Sequence, residues 1–481
     1  MLHHAAADKP LSQLRRRLTA LNVWALSFGC SIGWGCFVMP GRDFLPCAGP
    51  LGTFIAVLAG ALAMLVFAAN YHFMAQRREG NGGPFAYVRG VFGEDHACLC
   101  AWFLLSAYLG LIWQNATVFA MALRPVLGPA WDNLATYEVA GFEVHAGNAG
   151  AAIAAMLLCA LLYLRARGRV RHLHTFLSLL LAAGVAVCVA GALAKGDPQA
   201  CRDLFALDRK QAAGILPLVL LMPWAFLGFE TAVHVADRHA FPRSRLFAVM
   251  AAAILAAALC YAGLTLLAIQ HVPEGFAGWQ DYVASLGKLE GPDSIPTFFV
   301  MQATFGRAGL VLLEATVMAA LGTSLLGYLI VCSQLVCTLA ESGVLPEALG
   351  RRSADGLPEG AMRLVLALCV TAPFLGRTAI EWFMPVITLG CTLAYGYTSA
   401  SACCAARAEG RPAARAAGAA GTAIACLLAL VLLIPTSWDG ASVCPESHLI
   451  LAVWSVLGLL AFRFAARRGG AASSHARSPL V

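Results

Sequence analysis

Apolar runs of roughly 20 residues recur about twelve times along the 481-residue chain, and no other feature restricts its fold as tightly. A run of that length matches the hydrocarbon thickness of a bilayer. Lipid offers no partner to a backbone N–H or C=O, so a spanning run must satisfy its own groups as a helix. The runs lie at 21–43, 50–75, 97–126, 148–165, 172–194, 212–236, 245–270, 307–340, 362–376, 379–405, 415–435 and 448–466. The ninth is short for a full crossing. Only 12% of the residues are charged, against about 25% in soluble domains. The expected class is an all-α polytopic membrane protein.

Charge placement sets the expected orientation. With the N-terminus in the cytoplasm, the basic clusters Arg15–Arg17, Arg77–Arg78, Arg165–Arg171, Arg238–Arg245, Arg351–Arg352, Arg407–Arg415 and Arg463–Arg468 all fall on the inner side. Both termini are then cytoplasmic, and the expected location is the cell membrane. The first span carries no convincing cleavage site and reads as retained. The net charge of +7 follows from this inner-face bias and calls for no nucleic-acid partner. The 17 cysteines contain no CxxC pair, and Cys98–Cys100 and Cys403–Cys404 lack metal-ligand spacing, so neither a metal nor a cofactor is expected. Cys47, Cys201 and Cys444 face outward in this topology, and a disulfide among them stays open.

Two of the spans are poor helices. The first contains Gly29-Cys30-Ser31-Ile32-Gly33-Trp34-Gly35, three glycines in seven residues, each costing about 1 kcal/mol in a helix interior relative to alanine. The sixth contains Met222-Pro223-Trp224-Ala225-Phe226-Leu227-Gly228-Phe229-Glu230. Pro223 donates nothing to the helix ladder, and Glu230 sets an acid at membrane depth. A helix broken inside a membrane must be buried in protein or line a cavity. Interrupted spans at corresponding positions point to an inverted-repeat transporter with a site near the midplane. Half-helix amino ends favour a carboxylate and free carbonyls favour an ammonium, which together suit an α-amino acid. The Gly-x-Ser-x-Gly spacing at Gly29–Gly33 also matches a nucleophile elbow. That motif needs a strand–turn–helix setting, however, and this one sits in an apolar span.

Several motifs, in order, resemble the amino acid–polyamine–organocation permeases. Ile32-Gly33-Trp34-Gly35-Cys36-Phe37 resembles their Ile-Gly-x-Gly-x-Phe signature. Asn81-Gly82-Gly83-Pro84-Phe85-Ala86-Tyr87 with Phe92-Gly93 resembles the connector after the second span. Leu339-Ala340-Glu341-Ser342-Gly343-Val344-Leu345-Pro346 resembles the exit from the eighth. Trp224-Ala225-Phe226-Leu227-Gly228-Phe229-Glu230 is similar to the Trp-x-Phe-x-Gly-x-Glu of bacterial arginine/agmatine-type exchangers. The resemblance implies a LeuT-like fold with a 5+5 inverted repeat plus two further spans. Its divisions here would be a tail at 1–20, a ten-helix core at 21–405, two accessory helices at 406–466 and a tail at 467–481.

Carried over by position, the resemblance implies that Ser31, Ile32, Gly33, Trp34 and Gly35 offer backbone amides to a substrate carboxylate. Trp224 stands at an aromatic gate, and Ala225, Phe226 and Gly228 supply carbonyls to the amino group. Tyr328 stands where the exchangers place a substrate-contacting tryptophan, so the same substrate is not implied. Glu230 is the candidate for proton coupling. The fifth span has no lysine between His174 and Leu193, and Ser178 occupies the place of the lysine that some members use. Thr323 and Ser324 carry hydroxyls that sodium takes, although hydroxyls in apolar spans ordinarily bond helix carbonyls. Gln114 and Asn115 in the third span are candidates for substrate or helix contact. His234, four residues after Glu230 on the same face, reads as a satisfied or loop-facing histidine.

The expected function is a secondary transporter, permease or exchanger, that moves an amino acid or related amine by alternating access. Proton, sodium and exchange coupling all stay open, with proton coupling or exchange preferred. The alternative is a non-transporting receptor using the same site, which the short tails disfavour. No metalloprotease, metal-cluster or phosphate-loop motif supports an enzyme.

Overall fold

The computed structural model describes residues 17–77, 82–127, 135–196, 204–289, 291–354, 356–376, 378–433 and 444–475. Most of the two tails and the connector residue Asn81 lie outside them. The chain is largely helical, and helix is found at each of the twelve apolar runs. Among the described residues, nine helical stretches are long and apolar enough to cross a membrane. This is the architecture of a polytopic helical membrane protein of the expected type.

The first span starts as α1 (Ala20–Ser31), closed by a capping box in which Thr19 and Asn22 satisfy each other's backbone N–H. It stops at Ile32, whose backbone is extended, and restarts after Gly33 as α2 (Trp34–Met39). A π turn over Pro40–Phe44 leads into α3 (Leu45–Ala75). The connector helix α4 (Gly83–Phe92) and the long α5 (Glu94–Leu127) follow, then α6 (Ala146–Arg165) and α7 (Arg167–Lys195). The sixth span begins as α8 (Arg209–Ala225), capped by Asp208 and Gln211. It breaks at Phe226–Gly228 and continues as a 3-10 segment, Phe229–Arg238. The break falls three residues after Pro223. Helices α9 (Leu246–Ala268), α10 (Trp279–Ala284), α11 (Pro296–Glu341), α12 (Glu359–Cys369), α13 (Thr378–Ala408), α14 (Pro412–Leu433) and α15 (Pro445–His475) complete the bundle.

Three features depart from the sequence expectations. The eighth span was read from 307, but helix begins at Pro296 and is bent at Gly306, whose φ of 59° only glycine adopts easily. The connector read between the third and fourth spans holds a hairpin, with β1 (Thr136–Val139) antiparallel to β2 (Phe142–His145). Ala140 and Gly141 turn it with φ of 50° and 83°, the two positive angles that a two-residue hairpin turn needs. The last helix runs on to His475, past the boundary read at 466. Cys47 and Cys444 carry free thiols, and Cys201 lies outside the described residues.

Polar ties fix the later spans to the core. Asn70 of α3 donates to Ser399 Oγ (3.0 Å) on α13 and to the Ala417 carbonyl (3.1 Å) on α14. Trp102 of α5 and Trp454 of α15 each donate an indole N–H to the other's carbonyl, at 2.9 and 3.0 Å. Their rings stack with centroids 4.7 Å apart.

Candidate substrate site

The two breaks meet at the centre of the bundle. A Cβ on Gly228 would lie 2.6 Å from the Ser31 backbone N and 2.8 Å from the Cys30 carbonyl carbon. Gly228 has a φ of 134°, so both its backbone angle and its neighbour demand glycine. On one side of this contact the start of the first span and the end of the sixth are tied together. Ser27 Oγ donates to the Phe229 carbonyl at 3.2 Å, Leu18 N–H to the Arg238 carbonyl at 2.6 Å, and Ala240 N–H to the Leu18 carbonyl at 2.8 Å.

Above the contact lies a cavity of about 410 Å³. Seven of the expected site residues line it: Ser31, Gly33, Trp34 and Gly35 from the first break, Trp224 and Ala225 from the sixth span, and Tyr328 from α11. Its lining reaches the exposed residues Arg42 and Asp43, at the end of the bundle where the first span finishes. Four neighbouring helices, α5, α9, α11 and α13, line the sides, α5 with Leu111, Gln114, Asn115 and Val118 among others. Those four residues stand at i, i+3, i+4 and i+7, one face of a helix.

The remaining expected residues are placed otherwise. Ile32 is fully buried and does not line the cavity. The Phe226 carbonyl accepts from Ser31 Oγ at 3.4 Å, and the Gly228 carbonyl accepts from Thr231 N–H at 3.0 Å and Thr231 Oγ1 at 2.6 Å. In this conformation those two carbonyls serve the protein's own hydroxyls. Ser31 Oγ also donates to the Ser27 carbonyl (2.9 Å), which leaves the backbone of the break as its exposed polar feature. The start of α2 has no side-chain cap, and the first amides of a helix have no intrahelical partner.

Trp224 and Tyr328 are held in defined poses. The Trp224 indole N–H donates to Gln114 Oε1 at 3.3 Å, and Gln114 Nε2 donates to the Ile380 carbonyl at 2.9 Å. A Cβ on Gly35 would lie 2.3 Å from Trp224 Cη2, so the ring rests directly on the bare backbone of the first break. The Tyr328 hydroxyl donates to the Leu227 carbonyl at 2.7 Å, closing one free carbonyl of the sixth-span break.

Glu230 is fully buried behind the break, on the side away from the cavity. Its Oε1 accepts from the Tyr108 hydroxyl at 3.0 Å, and its Oε2 accepts from Gly228 N–H at 2.9 Å and from the Tyr395 hydroxyl at 3.3 Å. The Tyr108 oxygen also lies 3.1 Å from His234 Nε2. His234 is thus buried and linked to Glu230 through one hydroxyl. Tyr108 and Tyr395 were not singled out from the sequence. Both are isolated tyrosines in apolar runs, and only the meeting of α5, α13 and the sixth span gives them a partner.

The fifth span ties into the first and the eighth. Ser178 Oγ donates to the Ala25 carbonyl at 3.0 Å, and His174 Nε2 lies 3.0 Å from the Thr323 carbonyl. The Thr323 hydroxyl lies 2.9–3.3 Å from the carbonyls of Ala320, Ala319 and Gly29, the helix-carbonyl habit expected of such a residue. Ser324, in contrast, lines the cavity with a buried hydroxyl that has no protein partner.

The family model for amino acid permeases matches residues 18–461. The chain belongs to the amino acid permease family. Curated relatives agree. A branched-chain amino acid permease of Lactococcus lactis subsp. cremoris is 23% identical over 375 residues, covering 76% of this chain and 77% of the relative. An arginine/ornithine antiporter of Pseudomonas aeruginosa is 26% identical over 380 residues, covering 75% and 70%. A methylthioribose transporter of Bacillus subtilis is 22% identical over 320 residues, covering 63% and 66%. This permease is therefore a secondary amino acid transporter, and nothing in these likenesses favours the receptor alternative.

Proposed function

We propose that this permease binds an α-amino acid at the paired breaks and carries it across the cell membrane by alternating access. The observation that carries the reading is the contact of Gly228 on Ser31, the two breaks meeting beside a cavity that residues of both of them line. The substrate carboxylate lies against the amides of Gly33, Trp34 and Gly35, where helix amino ends favour negative charge. Its ammonium faces the Ala225 carbonyl and the unpartnered Ser324 hydroxyl, and Phe226 and Gly228 become available once their internal bonds loosen. Trp224 is the lid over this site, since it already spans the gap between Gly35 and Gln114. With both termini in the cytoplasm, as the arginine distribution requires, the cavity opens to the outside and the Ser27–Phe229 and Leu18–Arg238 ties form the closed inner gate. Residues 21–405 form the moving core and 406–466 the accessory pair.

Transport is coupled to a proton at Glu230. A buried carboxyl whose hydrogen-bond partners are two tyrosine hydroxyls and one amide can exist in either protonation state, because each hydroxyl can donate or accept. The same group also closes the amino end of the 3-10 segment through Gly228, so it supports the break as well as titrating beside it.

The test is counterflow in proteoliposomes against a panel of amino acids and amines, with and without a pH gradient. The Gly33→Leu variant serves as control. A Cβ at Gly33 would already lie 2.7 Å from Asn115 Oδ1, and a larger chain displaces the carboxylate from the backbone. Each charge-assisted hydrogen bond lost is worth about 1.5–3 kcal/mol, or roughly tenfold to a hundredfold in affinity. A folded Gly33→Leu protein that binds the preferred substrate normally puts the site elsewhere.

A further inference from the structure

We infer that the substrate of this permease carries an uncharged, apolar side chain. The inference rests on the binding mode proposed above. It comes from what remains of the cavity wall once the breaks have served the amino and carboxyl groups.

Charge is confined to the mouth. Arg42, Asp43 and Glu381 are the charged residues that line the cavity among those described, and all three are exposed there. Glu230, the nearest buried acid, does not line the cavity, and the hydrogen bonds from Tyr108, Tyr395 and Gly228 already occupy both of its oxygens. Ser324 is given to the ammonium in the proposed binding mode, and three other deep polar side chains have protein partners. Gln114 is used at both ends of its amide, by Trp224 and by the Ile380 carbonyl. Asn115 Nδ2 donates to the Leu111 carbonyl at 2.8 Å, and the Tyr328 hydroxyl to that of Leu227.

Apart from the Cys30 thiol and the Tyr261 hydroxyl, the rest of that wall is carbon. Leu111 and Val118 present the α5 face, and Ile380 and Met384, four residues apart on α13, stand beside them. A guanidinium or ammonium placed against this apolar wall loses its water while the carboxylates of Asp43 and Glu381 stand at the exposed mouth, and the aromatic faces of Trp224 and Tyr328 replace only a small part of that hydration. A branched aliphatic or thioether side chain loses nothing on entry and is drawn from water in proportion to the area it buries.

The experiment loads proteoliposomes of the full-length protein with leucine and measures uptake of labelled leucine against external valine, isoleucine, methionine, lysine, arginine, ornithine and agmatine. The neutral apolar amino acids are expected to compete at least about tenfold better than the cations. Each cation is also tested as the loaded species with its own label. Ornithine, arginine or agmatine matching leucine overturns the side-chain class and leaves amino acid transport intact. Failure of every compound to drive counterflow, in protein shown to be folded, overturns the binding reading and this inference with it. Met384→Asp, at a half-buried position, and Val118→Asp place a carboxylate in the wall. Each is expected to raise the ornithine-to-leucine ratio by about tenfold or more. An unchanged ratio in both folded variants refutes the assignment of this wall to the side chain.

Discussion

Replacing Glu230 with glutamine separates charge from scaffolding, and the hydrogen bonds around it set the size of the effect. The carboxylate accepts three bonds, one at Oε1 and two at Oε2. A glutamine whose carbonyl oxygen takes the Oε2 position keeps Gly228 N–H and the Tyr395 hydroxyl. Its amide N–H then donates a hydrogen bond to the Tyr108 oxygen, whose own O–H turns toward His234 Nε2, 3.1 Å away. That rearrangement needs the other tautomer of His234 and keeps a partner for each of the three groups that now bond the carboxylate. The expected cost of Glu230→Gln is within about 1 kcal/mol, the scale of a single exchanged hydrogen bond. Glu230→Ala instead strands three donors at about 1–3 kcal/mol each and is expected to lower the melting temperature markedly. The assay is counterflow of the preferred substrate at a series of pH values, paired with thermal unfolding in detergent. Glu230→Gln should melt close to wild type and keep part of its substrate binding, with the pH dependence of transport flattened. A pH profile superimposable on wild type refutes proton coupling at Glu230 and leaves it as the cap of the sixth-span break.

Trp224→Ala removes the ring that bridges Gly35 and Gln114. It should cut the transport rate more than substrate affinity, measured by counterflow and equilibrium binding, because a lid commits the substrate and does not hold it. Gly228→Ala forces a left-handed backbone angle on alanine and drives its Cβ against the Ser31 and Cys30 backbone. The strain alone is about 1–3 kcal/mol, and the variant should show both a lower melting temperature and weaker substrate binding. Arg77, at the end of the second span, bonds the Glu409 carboxylate beyond α13 through Nε and Nη2, and these bonds hold that carboxyl below its ordinary range. A depressed carboxyl stabilises the fold above its unfolded pKa and loses that contribution as the pH falls through its folded value. Glu409→Gln should therefore melt slightly lower than wild type at neutral pH, with the gap closing in acid.

The sequence by itself determined the helical membrane class, the places of the twelve helical runs and the two broken spans. Each of these is a local property. Hydropathy over about 20 residues fixes a crossing, and Gly33, Pro223 and Gly228 weaken a helix wherever it packs. It also gave the lid candidate and the intramembrane acid, because a tryptophan after Pro223 and a glutamate in an apolar run stand out without a partner. The hairpin at 136–145 escaped notice because its turn rests on backbone angles at Ala140 and Gly141, and alanine signals no turn. Only the tertiary structure decided which residues share the site. It brought Ser31 against Gly228 and set Trp224 on Gly35. It joined Tyr108 and Tyr395 to Glu230 from helices 122 and 165 residues away in sequence. It also showed Gln114 spent on its neighbours and Ser324 left open to the cavity. A tyrosine or an amide in an apolar span reads the same whether it packs, caps or binds, since its role lies in the partner across the bundle and not in its own stretch of chain.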